Sequence, residues 1–276
     1  MRRSTILLGL TMAGLILAGA GSGADPQPAP GRRASAQGGR MGGFRSNGCV
    51  QCHSRITEPL RLTSHFYDWL GSRHEVAGVG CDKCHGGDPS AAGIAKAHSG
   101  VRRSGMEEST LHPRRLVATC GACHQEVTAV FTKSVHYQKL GETSNAPSCS
   151  TCHQHMATSV INWPPATVKL CAECHREEGS APRHLSEPER AGDLIAAFSR
   201  ADEIIDWTRY LIERHPRQRR QLRDEVGELK QLDRQLHQSR LDWHDFNLEA
   251  SRRRADEVFM RGYQLKESLW KKLPVK

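Results

Sequence analysis

Apolar residues in the last third of the chain recur every three or four positions over a polar background. This spacing is typical of an amphipathic helix. The stripe begins after Pro182, where Ser186 and Glu189 have the spacing of a capping box, and His215-Pro216 interrupts it. Its members are Leu194, Phe198, Ala201, Ile205, Thr208 and Leu211, widened by Ile195, Ile204 and Trp207. We predict a long helix with one buried face.

A second helical stretch runs from Arg217 to Lys271. Its apolar residues follow a seven-residue rhythm among Arg, Glu, Asp and Gln, and they are Leu222, Val226, Leu229, Leu236, Trp243 and Ala250. Unbroken, this helix would be roughly 80 Å long at about 1.5 Å per residue, so we expect a break, a hairpin or a partner subunit along it. Residues 186–273 are predicted to form a C-terminal α-helical region that packs on the preceding segment. Contacts between copies of the chain, giving a homo-oligomer, are the alternative.

The N-terminus has the pattern of a secretory signal peptide. Arg2 and Arg3 precede an apolar run from Ile6 to Leu17, and small residues follow up to Ala24. The run is shorter than an ordinary membrane span. We predict a periplasmic or otherwise exported protein with residues 1–24 removed; an uncleaved signal that anchors it in the membrane is the alternative. Residues 25–48, rich in Pro, Gly, Ser and Arg, are predicted to be a disordered linker.

The chemistry of the remaining segment, residues 49–180, lies in its cysteines and histidines. All ten cysteines belong to five Cys-x-x-Cys-His sequences, named here the first to fifth box. This sequence is the c-type haem attachment signature, because two cysteines at this spacing bind the vinyl groups of one porphyrin while the adjacent histidine binds the iron. The cysteine pairs are Cys49 and Cys52, Cys81 and Cys84, Cys120 and Cys123, Cys149 and Cys152, and Cys171 and Cys174; the histidines are His53, His85, His124, His153 and His175.

Zinc is the competing interpretation, because Cys-x-x-Cys pairs also build four-thiolate sites. Such sites take two pairs each, and five pairs cannot be divided in this way. Zinc also gives no reason for a histidine after every pair. We therefore predict five covalently attached haem c groups in a pentahaem domain. Aromatic residues make up only 5% of the chain, so the haems must supply much of the apolar core. The predicted fold class is mainly α, with short helices and little regular structure around a haem stack.

The formal net charge of the chain is +9. A strongly basic balance ordinarily suggests nucleic acid or an anionic membrane as partner. Five haems, however, bring about ten propionate carboxylates that are ionised at neutral pH, and these offset the excess of positive charge. We therefore predict no nucleic-acid partner.

The sixth ligand of each iron decides what such a protein can do. Methionine at this position would raise the reduction potential, but only four methionines follow the predicted signal, whereas ten histidines lie outside the boxes. Histidine is therefore the expected sixth ligand. An iron with two histidine ligands cannot bind a substrate, but it can pass an electron with little rearrangement.

Several stretches resemble the multihaem cytochromes related to hydroxylamine oxidoreductase, including the tetrahaem cytochrome c of ammonia oxidation. They are Ser72-Arg73-His74, Cys81 to Pro89, Ala97-His98-Ser99-Gly100, Phe131 to His136, Ala146 to Cys149 and Cys152-His153-Gln154-His155. The resemblance implies nitrogen-cycle electron transfer. It also implies that His74, His98, His136 and His155 bind the irons of haems other than their neighbours. Trp243-His244-Asp245-Phe246-Asn247 resembles a motif of the same family, so His244 is added as a candidate.

The position of His155, two residues beyond His153, predicts that it reaches a different haem from the one attached at its own box. His65, His112 and His184 are reserve candidates, and His215 and His237 are expected to face solvent.

Two function classes follow from the sixth ligands. The first is an electron carrier that relays electrons between redox partners, namely other redox proteins or a membrane cytochrome that oxidises quinol. The second is an oxidoreductase of small nitrogen or sulfur compounds with one open iron. The sequence favours the carrier, because it has no Cys-x-x-Cys-Lys box like that of pentahaem nitrite reductases. The octahaem hydroxylamine enzymes, moreover, have three more haems and a tyrosine bonded to the catalytic porphyrin; Tyr263 is the candidate to watch here.

Overall fold

The computed structural model describes residues 42–44, 46–59, 64–143, 145–154, 162–181, 183–218 and 220–273. All of them belong to one unit that spans residues 38–276. The predicted signal peptide and most of the predicted linker lie outside these residues, and so does His155. Within the described ranges every regular element is helical, as predicted for a mainly α protein.

Among the described residues, the first part of the fold has a 3-10 turn at Gly42–Phe44 followed by ten short α-helices. They are α1 Gly48–His53, α2 Ser64–Trp69, α3 Arg73–Val76, α4 Asp82–His85, α5 Ile94–Ala97, α6 Pro113–Gly121, α7 Gln125–Phe131, α8 Val135–Thr143, α9 Cys149–His153 and α10 Pro164–Ala172. Most are too short to be stable in isolation, so local caps and small apolar clusters must hold them.

Serine and asparagine side chains begin several of these helices. Asn47 Oδ1 accepts from the Val50 amide at 3.2 Å, Ser72 Oγ from the Glu75 amide at 3.1 Å, and Ser134 Oγ from the Tyr137 amide at 3.1 Å. Each bond satisfies an amide that the first helical turn leaves without a partner. The helix starts are therefore fixed by the sequence at these three positions.

Two apolar clusters support the short helices. Phe44, Val50, Phe66 and Trp69 form the first. Val117, Phe131 and Leu140 form the second, against which Tyr137 and Phe246 pack. Both are small, as expected for a segment with few apolar side chains of its own.

The second part of the fold is a bundle of three long helices, α11 Glu187–Arg214, α12 Arg223–His244 and α13 Leu248–Lys272. The predicted break in the second helical stretch is confirmed, since α12 ends at His244 and α13 begins at Leu248. The predicted end of α11 before His215-Pro216 is confirmed as well. A continuous core joins the three helices, with Leu194, Ala201, Leu232, Ala255, Val258 and Leu269 among its most buried members.

Two details of the bundle differ from the prediction. Ser186 makes no side-chain capping bond, because its backbone is already helical, with φ −83° and ψ −13°, whereas a capping residue ordinarily has an extended backbone. Trp207, predicted to widen the buried stripe, is 50% exposed. It lies at the edge of the stripe, beside a groove between α11 and α13.

The described residues include no helix that combines the length and the apolar character needed to cross a bilayer.

Candidate haem-binding site

The five boxes lie in or at the ends of short helices. The first and fourth boxes occupy α1 and α9, the second begins just before α4, and the third and fifth lie at the ends of α6 and α10. One helical turn brings the two cysteines of a box to the same side of the backbone, as attachment to one porphyrin requires. All ten cysteines are thiols in this structure.

Boxes that follow one another in the sequence are also neighbours in space. Burial raises the pKa of the Cys81 thiol to about 11, and the Cys49 thiol of the first box adds to this effect. Burial likewise raises the pKa of Cys171 to about 11, with the next contribution from Cys152 of the fourth box. These electrostatic effects need short distances. The first box is thus close to the second, and the fourth to the fifth.

The middle boxes are linked in the same way. Burial raises the pKa of Cys84 in the second box, and Cys123 of the third box adds to the rise. The thiols of Cys120 and Cys149, from the third and fourth boxes, share a hydrogen bond that raises the pKa of Cys120 and lowers that of Cys149. Each box is therefore close to the next box in the sequence.

A histidine from elsewhere in the chain faces each of the first three box histidines. The ring centroids of His53 and His98 are 6.2 Å apart, and those of His85 and His65 are 6.5 Å apart. For the third box, the centroids of His124 and His74 are 6.1 Å apart. The facing histidines come from α2, from α3 and from the residue after α5, so each box is completed by a segment outside its own helix.

The fourth box is completed by the C-terminal helices. His244, the last residue of α12, has its ring centroid 6.1 Å from that of His153. The two ring planes are nearly parallel, with an interplanar angle of 12°, whereas the three preceding pairs are inclined by 52° to 78°. His244 Nδ1 lies 2.6 Å from the Arg240 carbonyl oxygen, which fixes the orientation of the ring.

The fifth box is faced by two histidines. The His175 centroid is 6.0 Å from that of His136 and 5.9 Å from that of His184. His136 lies in the first turn of α8, which Ser134 caps, and its ring packs on Phe246 at a centroid distance of 4.0 Å. His184 lies in an exposed turn before α11.

These separations fit one iron between each pair of rings. An imidazole nitrogen binds a metal at about 2.0–2.1 Å, so two imidazoles on opposite sides of one metal have centroids roughly 6 Å apart. The residues present therefore fit a haem iron with two histidine ligands.

The protonation of these rings also suits metal binding. Burial lowers the pKa of His85, His153 and His244 and lowers the pKa of His136 to about 4, so these imidazoles are neutral at pH 7. His98 Nδ1 lies 2.9 Å from the Ile94 carbonyl oxygen. His244 Nδ1 is likewise within hydrogen-bond distance of a backbone carbonyl, that of Arg240. A ring that donates Nδ1–H to a carbonyl keeps the Nε2 lone pair for a metal.

Sequence reasoning placed His74, His98, His136 and His244 among the candidate ligands, and the structure brings all four to box histidines. It ranked His65 and His184 only as reserves, yet they also face boxes. For His65 the missed signal is its place in the first turn of a short helix, which His74 and His136 share. His184 carries no comparable local signal.

The other described histidines outside the boxes lie away from the box histidines. His112 accepts a hydrogen bond from the Arg114 amide as the cap of α6, and His237 pairs with Glu126 at 3.1 Å. His215 Nδ1 lies 2.9 Å from the Leu211 carbonyl oxygen. Over the described residues, no three histidine, cysteine or carboxylate side chains converge on a single bare metal ion.

The comparisons agree with this chemistry. Residues 65–154 match the family described as cytochrome c7 and related cytochrome c. The C-type polyheme cytochrome OmcB of Geobacter sulfurreducens is 29% identical over 182 residues, covering 46% of this chain and 24% of that protein. OmcC, another C-type polyheme cytochrome of the same organism, is 27% identical over 52% of this chain and 22% of its own length.

The multiheme cytochrome MtrA of Shewanella baltica is 23% identical over 135 residues, covering 48% of this chain and 38% of that protein. The chain thus matches less than two fifths of the length of any of these three relatives. No solved structure is significantly similar to it. The boxes, the family match over residues 65–154 and the three relatives together show that the chain is similar to multihaem c-type cytochromes.

Proposed function

We propose that the protein is an exported pentahaem cytochrome c that relays electrons between redox partners. Each box attaches one haem through its two cysteines, and the box histidine is the fifth ligand of the iron. Each bound haem supplies one-electron redox chemistry. The chain provides the ligands, their orientation and the exclusion of water.

One observation favours an electron carrier over an enzyme. Each of the five box histidines has the ring of a histidine from outside the boxes at 5.9 to 6.5 Å. A histidine in that position takes the sixth coordination site of the iron, and a substrate then has no place to bind. The alternative is a small-molecule oxidoreductase with one open iron. Such an enzyme would need one box without a facing histidine, whereas each of the five boxes has one.

The closeness of successive boxes supports a relay rather than a set of isolated haems. The thiols of successive boxes influence one another's pKa, so haems attached to them would also be neighbours. Electrons could then enter near the first or the fifth box and leave near the other end. The partners proposed are other redox proteins or a membrane cytochrome that oxidises quinol.

Carbon monoxide provides the test of this function. The purified protein is reduced and exposed to the gas while the haem spectrum is recorded. We expect no haem to bind it, because each sixth site is filled. One equivalent of bound gas per protein would favour the enzyme. A pyridine haemochrome assay should give five haems per chain, and any other number would contradict the assignment of the boxes.

Three finer proposals rest mainly on the sequence. The Arg-rich N-terminus with its apolar run supports export, which haem attachment outside the cytoplasm also requires. The motifs around His74, His98 and His136 support a relationship to the hydroxylamine oxidoreductase-related cytochromes of nitrogen-cycle electron transfer. The exposed aromatic side chains of Trp207 and Trp270 support the proposal that the C-terminal helices form contacts between copies of the chain.

A further inference from the structure

The fifth box is surrounded by more histidines than one iron can use. The rings of His136 and His184 are equally far from His175, at 6.0 and 5.9 Å. An iron held by a porphyrin has two axial positions, and His175 takes one of them. A single position is therefore left for two histidines.

The two competing rings have different surroundings. His136 is partly buried in a capped helix and packs against Phe246, so its ring is supported by more contacts than that of His184. His184 is exposed in the turn between α10 and α11. Its backbone amide bonds to the Ala181 carbonyl and its carbonyl to the Glu187 amide. The ring of His184 therefore lies outside the packed core, unlike that of His136.

We propose that His136 and His184 are alternative sixth ligands of the iron attached at Cys171 and Cys174. His136 is the resident ligand, and His184 replaces it when the ring of His136 is withdrawn. The exchange would replace one iron–nitrogen bond with another, with no change in electron count. The iron would have two histidine ligands in either state, and its sixth ligand would change from a partly buried to an exposed ring.

This proposal rests on the proposed function, because it assumes a haem at the fifth box. It goes further in assigning a ligand exchange to that haem. An exposed imidazole and a buried one give the iron different surroundings, and burial is one of the factors that set a haem potential. The haem at the fifth box would thus have two reduction potentials, one for each sixth ligand.

The test compares single and double substitutions in the full-length holoprotein. His136→Leu and His184→Leu should each leave all five ferric haems low-spin, because the remaining histidine fills the site. In His136→Leu the electron paramagnetic resonance (EPR) signal and the midpoint potential of one haem should shift. The double variant should contain one high-spin haem in five and bind one equivalent of carbon monoxide. A full equivalent of high-spin haem in either single variant would overturn the proposal.

The matched control is His74→Leu. Like His136, His74 follows a capping serine by two residues, but among the described ring contacts His124 is faced by no second histidine from outside the boxes. This variant should contain one high-spin haem on a single substitution. If it does not, or if the haem count of the wild type is not five, the proposed function itself fails. A single His136 variant that behaves like the control, with five haems attached, contradicts only the exchange. The single variants decide the question even if the double variant fails to fold.

Discussion

His244 is expected to be the sixth ligand of the haem at the fourth box. His244→Leu would test the facing pair of histidines that lie farthest apart in the sequence. The two rings are 6.1 Å apart and nearly parallel. The substitution keeps a side chain of similar bulk at the end of α12 but removes its nitrogen atoms. One iron in five should become five-coordinate, so a fifth of the low-spin haem should turn high-spin and one equivalent of carbon monoxide should bind.

The parallel rings make this haem distinguishable from the other four. Two axial imidazoles in the same plane interact with the same iron d orbital and split it strongly from its partner, which gives a rhombic low-spin EPR signal. Rings near a right angle interact with both orbitals alike and give a more anisotropic signal. The other boxes have interplanar angles of 52° to 85°. We therefore expect His244→Leu to abolish the most rhombic signal and to leave the others in place.

His215→Leu is the matched control. His215 also directs Nδ1 to a backbone carbonyl four residues earlier, but no box histidine lies beside it among the described ring contacts. This variant should retain the wild-type spectrum. If both variants give the same spectrum as the wild type, or if His244→Leu removes an anisotropic signal instead, the assignment of His244 to the fourth box is wrong.

Two further predictions concern the C-terminal helices. Gly227→Ala, at an exposed position in α12 with open space around it, should raise the free energy of unfolding by about 0.5–1 kcal/mol. Gly262→Ala should lower it, because the new methyl group would lie 2.8 Å from Ile204 Cγ2; urea unfolding followed by circular dichroism compares the two, and stabilisation by Gly262→Ala would refute the close packing. The hydrogen bond from the Lys272 ammonium lowers the pKa of the buried Glu225 carboxyl. The pair therefore stabilises the folded protein at a pH above the pKa that Glu225 has in the unfolded chain. This stabilisation is lost as the pH falls through the lower pKa that Glu225 has in the folded protein. Lys272→Met should therefore destabilise the protein at pH 7, and the difference from wild type should close in acid; a difference that is the same at both pH values would contradict the pairing.

The helical bundle could be predicted in detail because its signals are local and periodic. Apolar spacing gave the faces of α11 and α12, and the length of the second stretch indicated a break, a hairpin or a partner subunit. The structure has the break, between His244 and Leu248. The exposure of Trp207 could not be predicted, because a residue at the edge of a stripe is buried or exposed according to how close its neighbouring helix comes. That distance depends on Gly262, whose missing side chain lets α13 approach Ile204.

The facing histidines were predictable only in part. His74 and His136 share a recognisable setting, a capping serine followed two positions later by histidine. Nothing in that local pattern indicates which box the histidine reaches, since this depends on the path of the chain between elements. His184 has no helical setting at all, and its role depends entirely on the turn that brings it to His175.

The pairing divides the boxes into two groups. The first three are faced by His98, His65 and His74, all of which precede the third box in the chain. This group draws its facing histidines from the haem region alone.

The fourth and fifth boxes depend on the C-terminal helices. The fourth is faced by His244 at the end of α12. The turn that follows contains Phe246, which has a left-handed backbone at φ 58° and packs on His136, one of the two rings that face the fifth box. A non-glycine residue in this conformation costs free energy unless its surroundings hold it there, and the contacts of Phe246 with Phe131 and His136 provide that support. The C-terminal helices therefore contribute to the proposed haem-binding structure, because the turn between α12 and α13 follows the histidine that faces the fourth box and supports a histidine that faces the fifth.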